Sequence, residues 1–134
     1  MSTDIKNLYA DTNVFLDFLF SRDIDRCNKI RRLFKEASEG KVKITIVSQV
    51  IFEIIYVVEK TFGESREETY KHASTILCSK ELDVQQRDVL SEMLDIYRTT
   101  NFDPVDIYLH CLSKRNNGEV LTFDKDAEKL KRRF

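Results

Sequence analysis

Hydrophobic and polar positions alternate along this chain in a way that predicts helices placed between short strands. Between Asp25 and Ser38, apolar residues recur every three to four positions, which is typical of an amphipathic helix. Val42–Val47 is β-branched and alternates only weakly, which suits a buried parallel strand. The same reasoning predicts six further helices at Val14–Phe20, Gln49–Phe62, Glu67–Cys78, Arg87–Thr99, Val105–Arg115 and Ala127–Arg132, and three further strands at Ile5–Ala10, Glu81–Val84 and Glu119–Phe123.

The order of these elements predicts an α/β fold. Strands that alternate with helices form a parallel sheet with right-handed crossovers and helices on both faces. We therefore expect a three-layer α/β/α architecture with a central, mainly parallel sheet of four to five strands. The chain has 134 residues, a length that suits one compact domain over residues 1–134.

Composition and charge narrow the class of protein. The sequence is 42% hydrophobic and 34% charged, which is too apolar for a disordered chain. Its net charge of −1 provides no overall basic field, so binding of RNA would depend on local patches and bound cations. Cys27, Cys78 and Cys111 lack the spacing of a metal site or a disulfide framework, and the apolar run Val50–Val58 is too short to span a bilayer. We expect a cytoplasmic protein with reduced core thiols.

Four acidic residues follow predicted strands or begin predicted helices. Asp11 comes directly after the first strand, and Asp124 comes directly after the last one. Glu53 lies in the first two turns of the helix after the second strand, and Asp106 lies in the first turn of its own helix. Ligands of open parallel sheets bind beyond the carboxyl ends of the strands. We therefore expect all four carboxylates at one edge of the sheet.

Each of these acids also has a purely structural explanation. Glu53 is the single acid in an apolar helix, so it is a metal ligand, a partner in a buried salt bridge or a residue on a thin exposed stripe. Asp11 could cap the helix that follows it. Asp124 has the same ambiguity, with Asp126 a natural cap for the last helix. Asp103 could cap the helix that carries Asp106 and leave Asp106 as the ligand.

Convergence of the four carboxylates favours a metal centre. Four negative charges at one edge would repel each other strongly unless a hard cation neutralised them, and oxygen-only ligands select Mg²⁺ or Mn²⁺. Such an ion can lower the pKa of a bound water and stabilise charge on a phosphodiester during hydrolysis. No protein nucleophile is obvious in the sequence, and this chemistry needs none.

Three segments of the sequence carry a resemblance to a known family: Tyr9–Val14 (YADTNV), Ser48–Glu53 (SQVIFE), and Asp106 followed by Val120–Asp126 (VLTFDKD). In their order and spacing they resemble the PIN domain, the nuclease fold of VapC-type toxins in toxin–antitoxin pairs. The resemblance implies a metal-dependent endoribonuclease, commonly a homodimer, and for a toxin it implies a partner antitoxin. The acids of the family correspond to Asp11, Glu53, Asp106 and Asp124.

The resemblance leaves some positions open. Asn13 and Thr122 fall where the family often has polar residues that support the acidic site. Asp103 is a rival of Asp106 for the third acid, and Asp126 competes with Asp124 or joins it as a further ligand. The family also has housekeeping members in RNA processing. A non-catalytic module of this kind, which binds RNA or a protein, is the alternative function, although such modules usually lack the acids.

A histidine follows the third acid on the same helical face. His110 lies four residues after Asp106, so the two side chains are neighbours on the helix surface. His110 could support the acidic site, but a hydrogen-bonded core histidine or a helix-surface histidine is the favoured interpretation.

Overall fold

Residues 5–134, which the computed structural model describes, form three short strands and seven α-helices. The chain divides into two compact units, the first ending at Gln86 and the second comprising Arg87–Phe134. None of the described helices has the length and hydrophobicity that crossing a bilayer requires. The strands are β1 (Lys6–Tyr9), β2 (Val42–Ile46) and β3 (Leu82–Val84), and the helices are α1 (Thr12–Phe20), α2 (Ile24–Ser38), α3 (Ser48–Tyr56), α4 (Arg66–Leu77), α5 (Arg87–Arg98), α6 (Pro104–Arg115) and α7 (Asp126–Arg133).

The first unit contains a parallel sheet in the order β1-β2-β3. Tyr9 pairs with Thr45 across β1 and β2, and Ile44 pairs with Leu82 across β2 and β3. Ile44 is buried on the central strand, in agreement with the β-branched, weakly alternating pattern of that segment. Parallel neighbours need long crossover connections, and α1 and α2 supply the first of these while α3 and α4 supply the second. The predicted α/β class with a parallel sheet is confirmed.

Helix capping in the first unit follows from short polar side chains. Asp23 caps α2 by accepting a hydrogen bond from the backbone N–H of Arg26 at 3.0 Å, and this bond holds the pKa of the Asp23 carboxyl below its usual value. Ser65 caps α4 in the same way through the N–H of Glu68. Between them, α3 runs into a π-helical turn at Val57–Thr61, so the predicted helix Gln49–Phe62 forms as two segments.

In the second unit, the regular secondary structure of the described residues is entirely helical. Its first helix, α5, buries Leu90, Met93, Leu94 and Tyr97, which follow the spacing of one apolar helical face. Helix α5 packs on α6, and α6 packs on α7. This packing brings the first turn of α6 close to the turn that precedes α7.

One predicted strand is absent from the described residues. Residues 119–123 adopt no regular secondary structure, so the described part of the chain has a sheet of three strands, where four to five were expected. Leu121 and Phe123 are 95% and 103% exposed. A sequence with high β-propensity becomes a strand only where it gains a pairing partner and a buried face. Glu119–Phe123 has neither within its own, helical unit.

Candidate metal centre

Asp11 lies immediately beyond the carboxyl end of β1. The backbone N–H of Ala10 donates to the carbonyl of Thr45 at 3.0 Å, so strand pairing continues up to the residue before Asp11. The side chain of Asp11 caps α1, because its Oδ1 accepts a hydrogen bond from the N–H of Asn13 at 3.0 Å. A carboxylate has a second oxygen with its own lone pairs. Capping through Oδ1 is therefore compatible with a cation at Oδ2.

Glu53 lies on the exposed stripe of α3. Ile51, Ile54 and Ile55 are buried, whereas Glu53 and Tyr56 are exposed. Glu53 and Tyr56 lie one turn apart on a single solvent-facing stripe, so the exposed stripe that the sequence left open is present. An exposed carboxylate carries no large desolvation penalty and can meet a ligand from solvent. Because α3 begins two residues after β2 ends, Glu53, like Asp11, follows a strand at the carboxyl edge of the sheet.

In the second unit, three acids come together. Asp106, Asp124 and Asp126 each offer a carboxylate oxygen, and these oxygens lie within 4.8 Å of one another. Asp106 is in the first turn of α6, while Asp124 and Asp126 belong to the turn into α7. Asp106 and Asp126 are partly buried and Asp124 is exposed. The packing of α6 against α7 therefore builds an acidic cluster that opens to solvent.

Two short hydrogen bonds shape the turn that carries Asp124. The backbone N–H of Asp124 donates to Oγ1 of Thr122, and the N–H of Asp126 donates to Oδ1 of Asp124, both at 3.0 Å. The predicted capping of the last helix by Asp126 is wrong, because Asp126 is itself the first residue of α7 and Lys125 occupies the cap position without a side-chain bond. Thr122 thus supports the position of Asp124 through the backbone.

Asp103 caps α6 and lies outside the group of three acids. Its Oδ1 accepts a hydrogen bond from the N–H of Val105 at 2.9 Å, with Pro104 at the first helical position. The sequence left open whether Asp103 or Asp106 faces a ligand. In the structure, Asp103 satisfies the end of the helix, and Asp106 projects into the acidic cluster.

The electrostatics of this cluster favour a cation. Burial raises the pKa of the Asp106 carboxyl above its ordinary value, and the charges of Asp103, Asp124 and Asp126 raise it further. A divalent cation would relieve this repulsion. Carboxylate oxygens are hard ligands that suit Mg²⁺ or Mn²⁺, so the residues present fit the predicted ion.

His110 is buried beside the cluster. It lines a cavity of about 100 Å³ together with Asp106 and Asp124, and its Nε2 has no hydrogen-bond partner among residues 5–134. Burial lowers the pKa of His110, and the positive charge of Lys114 lowers it further, against an opposing effect of Glu92. His110 is therefore a core histidine and not a helix-surface one, and the hydrogen bond expected of a core histidine is missing at Nε2 among the described residues.

A buried ion-pair cluster in the first unit was not predicted. Asp17, 4% exposed, accepts hydrogen bonds from Nε of Arg22 at 2.9 Å and from Nη1 of Arg26 at 3.4 Å. Nη2 of Arg22 also donates to Oδ1 of Asn13 at 3.3 Å. The available signal was a lone acid in the otherwise apolar helix α1, which is the same signal that singled out Glu53.

Comparison with known proteins shows which family and which relative the chain is similar to. The sequence model of the PIN domain family matches residues 8–133 of the chain, a range that includes all of the acids discussed above. A protein of Aquifex aeolicus (strain VF5) named VapC ribonuclease is 29% identical over 125 residues. The matched part covers 90% of this chain and 89% of that relative.

Proposed function

Because the chain belongs to the PIN domain family, we propose that it is a metal-dependent endoribonuclease that hydrolyses RNA phosphodiester bonds. The observation that carries this proposal is the cluster of Asp106, Asp124 and Asp126, whose oxygens lie within 4.8 Å of one another. The relative named VapC ribonuclease supports RNA as the substrate. A non-catalytic module would have no need for mutually repelling acids in a solvent-accessible cluster.

The proposed ligands of Mg²⁺ or Mn²⁺ are Asp11, Glu53, Asp106 and Asp124, acting together in a single domain over residues 1–134. Asp126 joins them as a further ligand. The support for the first two is their position at the carboxyl edge of the sheet, where α/β proteins bind ligands. The support for the others is the acidic cluster and the raised pKa of Asp106.

Individual residues of the chain have distinct roles in the proposed reaction. A bound divalent ion supplies a water of lowered pKa and stabilises negative charge on the phosphodiester. The N–H of Asn13 holds one oxygen of Asp11, and the other oxygen would bind the cation. Oγ1 of Thr122 holds the backbone of Asp124. Support of this kind orients metal ligands before the substrate arrives.

The biological setting we propose is that of a cytoplasmic toxin whose partner is a protein antitoxin, with the toxin itself a homodimer. The support is the resemblance to VapC-type toxins and the name of the Aquifex relative. Sedimentation of the purified chain measures the dimer. Co-expression with the protein encoded by the neighbouring gene tests the antitoxin, which is expected to suppress RNA cleavage.

Incubation of the purified protein with labelled single-stranded RNA tests the enzymatic proposal. Cleavage is expected with Mg²⁺ or Mn²⁺ and not with EDTA, and Asp11→Asn is expected to abolish it. Asp25→Asn is the matched control, since Asp25 is exposed on α2 and belongs to no proposed site. Cleavage that persists in EDTA, or that survives Asp11→Asn, would falsify the proposed mechanism. RNA binding without cleavage under every metal condition would favour the non-catalytic alternative.

A further inference from the structure

We propose that Arg22 is a substrate-binding residue whose guanidinium binds a phosphate of single-stranded RNA beside Asp11. This inference rests on the proposed function and adds to it a residue outside the acidic site. Arg22 lies in the connection between α1 and α2. Three features of its surroundings lead to this assignment: a fixed orientation, a short link to Asp11, and N–H donors that its partners do not use.

The orientation of Arg22 is fixed by a buried acid. The Asp17 side chain is only 5% exposed, and its Oδ1 accepts from Nε of Arg22 at 2.9 Å. A buried carboxylate is costly without a partner, so this ion pair holds the guanidinium in place. An arginine that is already held loses less conformational entropy when it binds a ligand.

A short chain of hydrogen bonds connects Arg22 to Asp11. Nη2 of Arg22 donates to the side-chain oxygen of Asn13 at 3.3 Å, and the backbone N–H of Asn13 donates to Asp11 Oδ1 at 3.0 Å. The guanidinium is therefore two hydrogen bonds away from a proposed metal ligand. This connection places the guanidinium beside the first turn of α1, the turn that Asp11 caps.

Arg22 contacts one acid, whereas its neighbour Arg26 contacts two. Arg26 pairs with two acids, Asp17 at 3.4 Å and Asp23 at 3.4 Å. Arg22 shares Asp17, but its second partner, Asn13, is neutral. If Arg22 is removed, Asp17 still has its ion pair with Arg26. The guanidinium of Arg22 is therefore not required to neutralise the buried acid.

Arg22 also has further N–H donors and an exposed side-chain surface. Its side chain is 38% exposed, and the two hydrogen bonds above use two of the five N–H donors of a guanidinium. Guanidinium groups bind phosphate oxygens through paired N–H donors. A phosphodiester oxygen is therefore a ligand that fits this position, because it can accept from the N–H donors that Asp17 and Asn13 do not use.

The first experiment measures RNA binding without cleavage. Fluorescence anisotropy of a labelled single-stranded RNA in EDTA gives the dissociation constant over a series of KCl concentrations. Arg22→Met is expected to weaken binding roughly tenfold, as for loss of one charge-assisted hydrogen bond, and to lower the salt slope by about 0.7, as for loss of one phosphate contact on a single strand. Arg26→Met removes the same charge and the same partner, Asp17, and is expected to stay within about twofold of wild type.

The second experiment separates positioning from folding. Arg22→Met is expected to raise KM for RNA cleavage, Arg22→Lys to recover part of the salt slope, and Mn²⁺ affinity to remain unchanged in both variants. A merely structural role for Arg22 would lower the Tm and leave the salt slope as in wild type, and that outcome overturns the proposal. Equal effects of Arg22→Met and Arg26→Met on binding overturn it as well. A wild type that binds RNA but never cleaves it refutes the proposed function, while the binding comparison still decides the role of Arg22.

Discussion

Asp124 and Asp126 are joined by a hydrogen bond of 3.0 Å from the backbone N–H of Asp126 to Oδ1 of Asp124. The bond holds two acids of the candidate metal centre in one turn, opposite Asp106 on α6. Because its donor is a backbone group, the bond is independent of the Asp126 side chain. Replacement of Asp124, by contrast, removes both a proposed metal ligand and the acceptor that shapes the turn.

Divalent cations are expected to stabilise the protein through this cluster. At a Mn²⁺ concentration of about 100 times the dissociation constant, binding to the folded state contributes about 2.7 kcal/mol, which thermal unfolding detects as a rise in Tm. Asp106→Asn and Asp124→Asn are expected to remove most of this rise, and Asp126→Asn a smaller part. Asp25→Asn should retain all of it. An undiminished rise in Asp106→Asn would show that the cation binds elsewhere.

Without a cation, the charge of Asp106 is expected to destabilise the folded protein at neutral pH. Burial raises the pKa of this carboxyl in the folded state, so the folded state binds more protons than the unfolded state above the ordinary pKa. Stability is therefore lost as the pH rises through that range. In urea denaturation with EDTA, Asp106→Asn should gain stability over wild type at pH 7 and lose this advantage at pH 3. An advantage that is equal at both pH values would contradict this electrostatic explanation.

Loss of Asp17 is expected to cost more than loss of either of its arginine partners. Asp17 accepts from both Arg22 and Arg26, so Asp17→Asn weakens two charge-assisted bonds, at a cost of about 1–3 kcal/mol. Arg22→Met or Arg26→Met leaves the acid with one partner. Urea denaturation of the three variants measures the order of these costs. An equal cost for all three would mean that the ion pairs contribute little to stability.

The three cysteines should differ sharply in reactivity. All three are free thiols, and Cys27 and Cys111 are buried as predicted, whereas Cys78 is exposed, so its predicted place in the core is wrong. Burial is the main cause that raises the pKa of Cys111 to about 11, so almost none of it is thiolate at pH 8. Iodoacetamide is expected to modify Cys78 first and the other two only in urea. Rapid modification that remains in Cys78→Ser would contradict the buried positions.

Helices were predictable from the sequence because their signal is local. The segment predicted as Arg87–Thr99 forms α5 over Arg87–Arg98, and the segment predicted as Val105–Arg115 forms α6 from Pro104. Apolar spacing and the Asp-Pro start are enough to define such helices. The strand predicted at Glu119–Phe123 failed, since strand formation depends on a partner elsewhere in the chain.

Side-chain surroundings were less predictable than element positions. The apolar run around Glu53 left burial and an exposed stripe both open, and in the structure one stripe of α3 faces solvent. Asp17 lies in a similar apolar run and is buried. The turn between α1 and α2 places Arg22 and Arg26 beside its carboxylate, where they form ion pairs with it. Two lone acids in apolar helices thus have opposite environments. The sequence could not distinguish the two environments, because they depend on which residues the turn after each helix places beside the acid.

The sequence by itself determined the α/β class, the family resemblance and the acids of interest, because periodicity, strand-to-helix order and residue type are all present in the linear chain. Only the tertiary structure decided that Asp126 stands with Asp106 and Asp124 while Asp103 caps α6. It also decided that Arg22 reaches both Asp17 and Asn13. Distances of a few ångströms between side chains depend on helix packing and turn geometry, and residue spacing along the chain does not specify these.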